Sequence, residues 1–255
     1  SSRMEVLKMI NLIDLSGKTV LVTGASDGIG KETSTLLSQL GARVVMIARS
    51  EEKLQAVYDS LEGDGHSYYS FDLTNIDEIE GLTASLVEQN GPFDGFVHCA
   101  GIAPMRPLKM VTYSFLHETM LVNFYSFVEI LRCITKRGNY RQGMGVVAMS
   151  SIASKQGQRS QMTYCASKAA LDGAIRALAK ELSDKKIRIN SIVAGMVRTN
   201  MYEHFKEKTG NNLEDEYLLG IIEPSQVAAS IAYLLSDKSK TITGTGIVID
   251  SGRTA

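Results

Sequence analysis

Apolar positions in this chain fall into short β-branched runs separated by longer segments of helical period. The runs cover residues 19–23, 43–47, 93–98, 145–149, 187–193 and 246–249, with a weaker one at 66–71. They are near-continuous rather than alternating, as strands covered on both faces of a parallel sheet are. Between them, residues 29–40, 76–89, 115–135, 161–182 and 226–235 repeat their apolar positions with helical spacing. Strand-helix alternation along the whole chain predicts an α/β fold: a single Rossmann-type, doubly wound parallel sheet of about seven strands with helices on both faces. Ligands bind such sheets at the carboxyl ends of the strands. Chemistry is therefore expected at residues 23–30, 48–49, 72–73, 98–101, 150–151 and 193–199.

A chain of 255 residues buries roughly three quarters of its unfolded surface, so folding requires neither a disulfide nor a metal. Lys and Arg number 27 against 28 Asp and Glu, and their even spread argues against a nucleic-acid partner or a polybasic membrane surface. Apolar runs stay short of the roughly 20 residues a membrane helix needs, and no charged-then-apolar leader opens the chain. Cys99, Cys133 and Cys165 read as small buried hydrophobes in a reducing compartment. His66, His98, His117 and His204 have no ligand spacing, so no metal is expected. These features predict a cytoplasmic protein with an N-terminal extension over 1–14 and one catalytic domain over 15–255.

The first strand-to-helix turn reads Thr23-Gly24-Ala25-Ser26-Asp27-Gly28-Ile29-Gly30. Glycine there admits positive φ and lets a pyrophosphate approach the amides of a helix N-terminus. The spacing is Gly-x-x-x-Gly-x-Gly, not the common Gly-x-Gly-x-x-Gly fingerprint; its place on the first turn of an α/β chain makes it a cofactor candidate. A carboxylate ending the second strand would favour NAD, but this strand ends Met46-Ile47-Ala48-Arg49. The guanidinium fork suits a 2′-phosphate. A charge-assisted hydrogen bond of roughly 1.5–3 kcal/mol prefers NADP(H) by ten- to a hundredfold, without excluding NAD(H). Asp27 runs against this preference, being an acid where a phosphate favours Lys or Arg.

Tyr164 and Lys168 are one helical turn apart and share a face. A free phenol titrates near ~10, too high for ready proton exchange at neutral pH. An ammonium about 4 Å away, at an effective dielectric near 20, contributes roughly 4 kcal/mol and is expected to draw the phenol towards neutrality. Ser151 ends the preceding strand and can face the start of that helix, within reach of a substrate carbonyl. Asn123 lies inside a helical segment, where an amide is a mediocre helix former, and marks a candidate kink or water site. No Ser stands in a Gly-x-Ser-x-Gly elbow, which speaks against a serine hydrolase.

From about Leu15 to Gly252 the chain resembles the short-chain dehydrogenase/reductases. The resemblance is carried by Thr23-Gly24-x-x-x-Gly28-Ile29-Gly30, Asp72-Leu73, Asn123, Ser151, Tyr164-x-x-x-Lys168 and residues 188–201. It implies that Tyr164 is the general acid in reduction, that Lys168 lowers its pKa and binds the nicotinamide ribose, that Ser151 orients the substrate oxygen, and that Asn123 holds a relay water. It implies cofactor contacts at Gly24, Ser26, Asp27, Gly28, Ile29, Gly30, Arg49, Asp72, Leu73, Ala100, Gly101, Tyr164, Lys168, Val197 and Thr199. It further implies a homotetramer or homodimer built through the helices bearing Asn123 and Tyr164, with the C-terminal strand in a second interface. Three departures stand out: His98-Cys99-Ala100-Gly101 for the family's Asn-Asn-Ala-Gly, Ala194 for a proline before Gly195, and Asp250-Ser251-Gly252 for Asp-Gly-Gly.

The substrate pocket of this fold would be closed by residues 200–222, which include Met201, Tyr202, His204, Phe205, Tyr217, Leu218 and Leu219. The chain looks most like the 3-oxoacyl thioester reductases of fatty-acid synthesis, with Lys136, Arg137, Lys185 and Lys186 available to an acyl carrier protein. A secondary-alcohol dehydrogenase of a sterol, polyol or sugar is the alternative within the class. A cofactor-binding sensor or scaffold is the alternative outside it, disfavoured by the complete Asn123–Ser151–Tyr164–Lys168 set.

Overall fold

Each apolar run forms a strand in the computed structural model, which describes residues 12–210 and 214–255. The strands are β1 (Thr19–Thr23), β2 (Arg43–Ala48), β3 (Ser67–Ser70), β4 (Phe93–His98), β5 (Tyr140–Ser151), β6 (Arg188–Ala194) and β7 (Gly246–Ile249). They pair in parallel throughout, in the order β3-β2-β1-β4-β5-β6-β7. The chain winds outward from β1 to β3, returns to place β4 against β1, and winds the other way. That reversal opens a crevice at the carboxyl ends of β1 and β4. Residues 1–11 of the expected N-terminal extension lie outside the described residues; Leu15 is fully buried, its amide donating to the Leu40 carbonyl at 2.9 Å.

Helices α1 (Gly28–Gln39), α2 (Glu51–Tyr58), α3 (Ile79–Asn90), α4 (Tyr113–Met120), α5 (Ser126–Ile134), α6 (Met162–Glu181), α7 (Asn200–Thr209) and α8 (Pro224–Leu235) join the strands. Both sheet faces are apolar because each serves its own helical layer. Val20, Val22, Val44, Met46 and Ile192 pack with Leu37 of α1, Leu54 of α2 and Ile231 of α8. Their neighbours in the strands, Leu21, Val45, Ile47, Phe96 and Ile189, pack with Leu86 of α3, Phe127 of α5 and Leu171 and Ile175 of α6. Each such side chain contributes about 1.5–3 kcal/mol on full burial, which accounts for strands without a polar face.

Three expectations need correction. The segment 115–135 is not one α-helix: a π-turn at Leu121–Tyr125 separates α4 from α5. Residues 76–89 open with a 3₁₀ turn at Ile76–Glu78 before α3 begins. The strand expected at 145–149 continues to Ser151, which therefore ends β5 itself. Helices α2 and α7 escape a search for apolar period because both are short and largely exposed; α2 buries only Leu54 and Val57.

The glycine turn between β1 and α1 is a backbone-on-backbone contact. Gly24 sits at φ +66°, and a Cβ there would meet the Ala100 amide nitrogen at 2.7 Å. A Cβ on Gly30 would overlap the Gly24 carbonyl. Neither obstacle is a flexible side chain that could move aside. Gly30→Ala is therefore expected to destabilise the fold by about 1–3 kcal/mol or more in urea unfolding. Gly81→Ala, at an exposed position of α3 where a Cβ meets nothing within 4 Å, should stabilise by roughly 0.4–1 kcal/mol.

Candidate active site

Lys168 lies on the second turn of α6 and reaches back across β5. Its side chain is almost entirely buried, at 3% exposure, and Nζ donates to the Met149 carbonyl at 2.7 Å. Burial pushes the ammonium down to about 8. Tyr164, one turn earlier, is half-buried, and Ser151 is buried at the end of β5 beside it. Ser151 Oγ accepts from the Ala153 amide at 3.1 Å, which fixes the hydroxyl where α6 begins.

The expected lowering of Tyr164 by Lys168 is not what this geometry produces. Nζ is 5.8 Å from the centre of the phenol ring and is engaged by the Met149 carbonyl. Desolvation of the phenolate dominates and raises the Tyr164 pKa, against the opposing hydrogen bond from Ser151. The phenol is thus held protonated.

Asn123 occupies the π-turn and is fully buried. Its Oδ1 accepts from the Ile102 amide at 2.8 Å, while Nδ2 donates to the Ile102 carbonyl and to Ser167 Oγ, both at 2.9 Å. Both amide hydrogens are engaged, so the side chain clamps the segment after β4 onto α6. A Cβ on Gly101 would lie 3.4 Å from Lys168 Nζ and 3.5 Å from Asn123 Oδ1, which shows how closely these three elements converge. Ser167, which receives Asn123 and donates to the Tyr164 carbonyl at 2.8 Å, had no signal in the sequence.

His98 restores a bond across the sheet that its departure from Asn had put in question. Its Nδ1 shares a hydrogen bond with Thr23 Oγ1 at 2.9 Å, linking β4 to β1. The imidazole is fully buried, against Phe96 and Phe127. Burial, reinforced by the Lys168 charge, pushes it down to about 3, so it is neutral. Its Nε2 lacks a partner of hydrogen-bond geometry, although the Val122 carbonyl of the π-turn is near enough to favour the protonated ring. Burial likewise pushes the neighbouring Cys99 thiol up to about 12.

The cofactor candidates line the same crevice. Ser26, Asp27, Gly28, Ile29 and Gly30 form the turn into α1, whose first amides have no intrahelical acceptor. Arg49 is exposed at the end of β2, close enough to Asp72 to help hold that carboxyl below its usual range. Asp72 caps its own turn, accepting from the Thr74 amide and hydroxyl at 2.9 Å each, while Leu73 is buried in the core. Val197 pairs with Ile222, and Thr199 precedes α7. Free turn amides, an exposed guanidinium and a buried ammonium with two further donors are the complement of a phosphorylated, hydroxyl-bearing ligand, so these residues fit a nicotinamide dinucleotide.

The other two departures are also compensated. Where Ala194 replaces proline, the Gly195 amide donates to the Ile249 carbonyl at 2.9 Å and the Met196 amide to Tyr217 Oη at 2.8 Å. Ser251 adopts φ +50° where the family pattern has glycine, and Asp250 Oδ1 holds the turn by accepting from the Gly252 amide at 3.0 Å. The basic residues expected to receive a carrier protein do not face the crevice. Lys136 and Arg137 precede β5, and Lys185 and Lys186 precede β6, so all four lie at the amino ends of the strands. Lys136 pairs with Glu80, and Lys185 Nζ donates to the Thr135 carbonyl at 3.0 Å. No helix among the described residues is long and apolar enough to cross a membrane.

Comparisons with known proteins agree with this geometry. The family profile described as "Enoyl-(Acyl carrier protein) reductase" matches residues 24–254. The chain is 32% identical to the 3-oxoacyl-acyl-carrier-protein reductase of Thermotoga maritima, covering 93% of this chain and 98% of that one. It is also 32% identical to the D-erythrulose reductase of Gallus gallus, over 94% and 97% of the two chains. A crystal structure of a dehydrogenase/reductase from Sinorhizobium meliloti superposes with a TM-score of 0.87 at 29% identity, covering 95% of this chain and 97% of that one. The chain belongs to the short-chain dehydrogenase/reductase family and is an oxidoreductase.

Proposed function

We propose that the protein reduces a ketone to a secondary alcohol with NADPH, and that the ketone is a 3-oxoacyl thioester. The observation that carries this reading is the convergence of the Tyr164 phenol, Ser151 and the Lys168 ammonium at the carboxyl end of β5, in a chain similar to named reductases. The phenol, protonated at neutral pH, carries the proton that reduction delivers to the carbonyl oxygen. A bound dihydronicotinamide supplies the hydride for the carbonyl carbon. Tyr164 Oη gives its proton to the carbonyl oxygen, and Ser151 Oγ orients that oxygen. Lys168, anchored on Met149, offers its remaining donors to the ribose hydroxyls.

The turn 24–30, Arg49, Asp72, Leu73, Ala100, Gly101, Val197 and Thr199 would hold the dinucleotide. NADP(H) is favoured because β2 ends in Arg49 with no carboxylate. The substrate class draws on two supports: the similarity to a thioester reductase, and exposed apolar side chains on the closing segment. Met201, Leu218 and Leu219 are 46%, 75% and 86% exposed, a surface suited to an acyl chain. A small polyhydroxy ketone is the second reading, favoured by an equal identity to the erythrulose reductase. An acyl carrier protein would have to approach the carboxyl ends of the strands, away from the basic residues first considered. A homotetramer or homodimer accords with Tyr113, Tyr125 and Val128 of the α4–α5 segment and Met162 of α6, all exposed.

Three outcomes follow. Tyr164→Phe should lower kcat for reduction of an acetoacetyl thioester by about 10²–10⁴-fold while NADPH still binds; equal turnover would overturn the mechanism. In fluorescence titrations Arg49→Ala should weaken NADPH by about ten- to a hundredfold and leave NADH nearly unchanged. The third concerns pH. Lys168 titrates at about 8 in the fold against 10.5 in its free form. Below pH 8 both states bind the proton, and the folded state bears the cost of the buried charge. Between about 8 and 10.5 only the unfolded state binds it, so this group's contribution to stability rises with pH, by about 3 kcal/mol in all. Reduction should fall over the same range as the ammonium is lost. Urea unfolding and kcat measured from pH 7 to 10 should diverge in this way, and Lys168→Met should flatten the stability trend.

A further inference from the structure

Asp27 is an acid in a turn that the proposed reaction reads as a phosphate site, and its contacts give it a different task. Its carboxylate joins three elements. One oxygen accepts from the Gly28 amide at 2.7 Å and caps α1. The other accepts from Asn200 Nδ2 at 2.5 Å, and Lys53 Nζ of α2 stands 3.7 Å away. Asn200 is the first residue of α7, and Thr199, at the N-cap of that helix, makes no side-chain capping bond. The first turn of α7 is therefore held from outside, by the cofactor turn. The stem of α7 lies directly on that turn, since a Cβ on Gly28 would come within 3.0 Å of Thr199 Cγ2. On its far side Arg198 Nε pairs with Glu223 at 2.8 Å, just before α8. A cleft of about 320 Å³ lies between Asp27, Lys31, Arg198, Asn200 and Glu203, beside the bond from Asn200 to Asp27.

We propose that Asp27 is a positioning residue for the helix that closes the substrate pocket: its carboxylate grips Asn200 and ties the placement of α7 to the cofactor turn. The proposal rests on reading α7 as that closing helix. Asp27 and Lys53 are both exposed, at 45% and 57%, so their ion pair contributes little. The hydrogen bond from Asn200 to a charged acceptor is the stronger link. Lys53 offsets the negative charge that would otherwise oppose a phosphate.

The test separates the grip from the helix cap. Asp27→Ser keeps a capping oxygen but is too short to reach Asn200, and Asn200→Ala removes the donor at an exposed position that tolerates substitution. Hydrogen exchange of residues 200–209 should quicken about tenfold in both, the factor one such hydrogen bond supports. The double variant Asp27→Asn with Asn200→Asp exchanges donor and acceptor, keeps the cap, and should restore slow exchange. Asn200→Ala should also raise KM for the ketone several-fold while changing the NADPH Kd less than about twofold. Unchanged exchange in both single variants, or no recovery in the double variant while it remains folded, would overturn the proposal. Failure of NADPH to bind the native protein would instead overturn the cofactor reading, and the exchange measurement would still decide the grip.

Discussion

Contact between bare backbones at the head of the sheet sets the geometry of everything above it. Because Gly24 has no Cβ, the turn leaving β1 crosses the start of the segment leaving β4, with its own position against the Ala100 amide. Because Gly30 has none, α1 can start directly over that turn. The crossing brings the first amides of α1 to the place where the sheet reverses its winding. It also delivers the segment 100–102 to the catalytic half of the molecule, where Asn123 takes both polar groups of Ile102. The proposed cofactor end and the proposed proton-transfer end are thus one construction joined through β4, and a side chain at the crossing would disturb both.

On that platform a single buried ammonium organises the chemistry. Lys168 is nearly solvent-free yet has one carbonyl partner, so its charge acts on whatever is near it in a low-dielectric setting. It reinforces the neutrality of His98 and opposes, without overcoming, the rise of the Cys99 thiol. Its own pKa is drawn down towards the physiological range. The phenol of Tyr164, whose desolvation outweighs its hydrogen bond with Ser151, stays protonated. Burial therefore decides the sign of the phenol shift, against the hydrogen bond from Ser151.

What the residues reveal unaided follows from the physics of each signal. Seven strands were legible because both faces of a parallel sheet are apolar, and even the weak run at 66–71 became β3. Asn123 was legible as a helix irregularity because an amide there is costly without a partner, and Ile102 and Ser167 together supply three. The sign of the Tyr164 shift was not legible, since an i,i+4 spacing fixes a shared face but not the distance between Nζ and Oη, nor the competing carbonyl of Met149. The bonds made by Ser167, Tyr217 and Asn200 were silent for a related reason. Each of these residues is bonded to one far away in the chain, and no local pattern encodes such a pairing. The basic residues at 136–137 and 185–186 misled because composition carries charge but not which end of a strand the charge occupies.

The departures from the family pattern show that a motif position is held by its physical task rather than by its residue. His98 replaces an amide, and one ring nitrogen still bridges β4 to β1 through Thr23. Ala194 replaces proline, and the Tyr217 hydroxyl restrains the following turn from outside. Ser251 takes a left-handed conformation that costs about 1 kcal/mol more than it would for glycine, and Asp250 closes the turn by accepting from the next amide but one. In the second and third cases the compensation ties down the segment proposed to close the pocket. Tyr217 belongs to that segment, and the Leu219 amide donates to the Ser251 carbonyl at 3.3 Å. Asp27 grips the other end of the same segment at Asn200. The chain thus replaces local stiffness in two turns, and a basic residue in a third, with bonds to the closing segment, and substrate selection in this protein would follow from how firmly those bonds hold it.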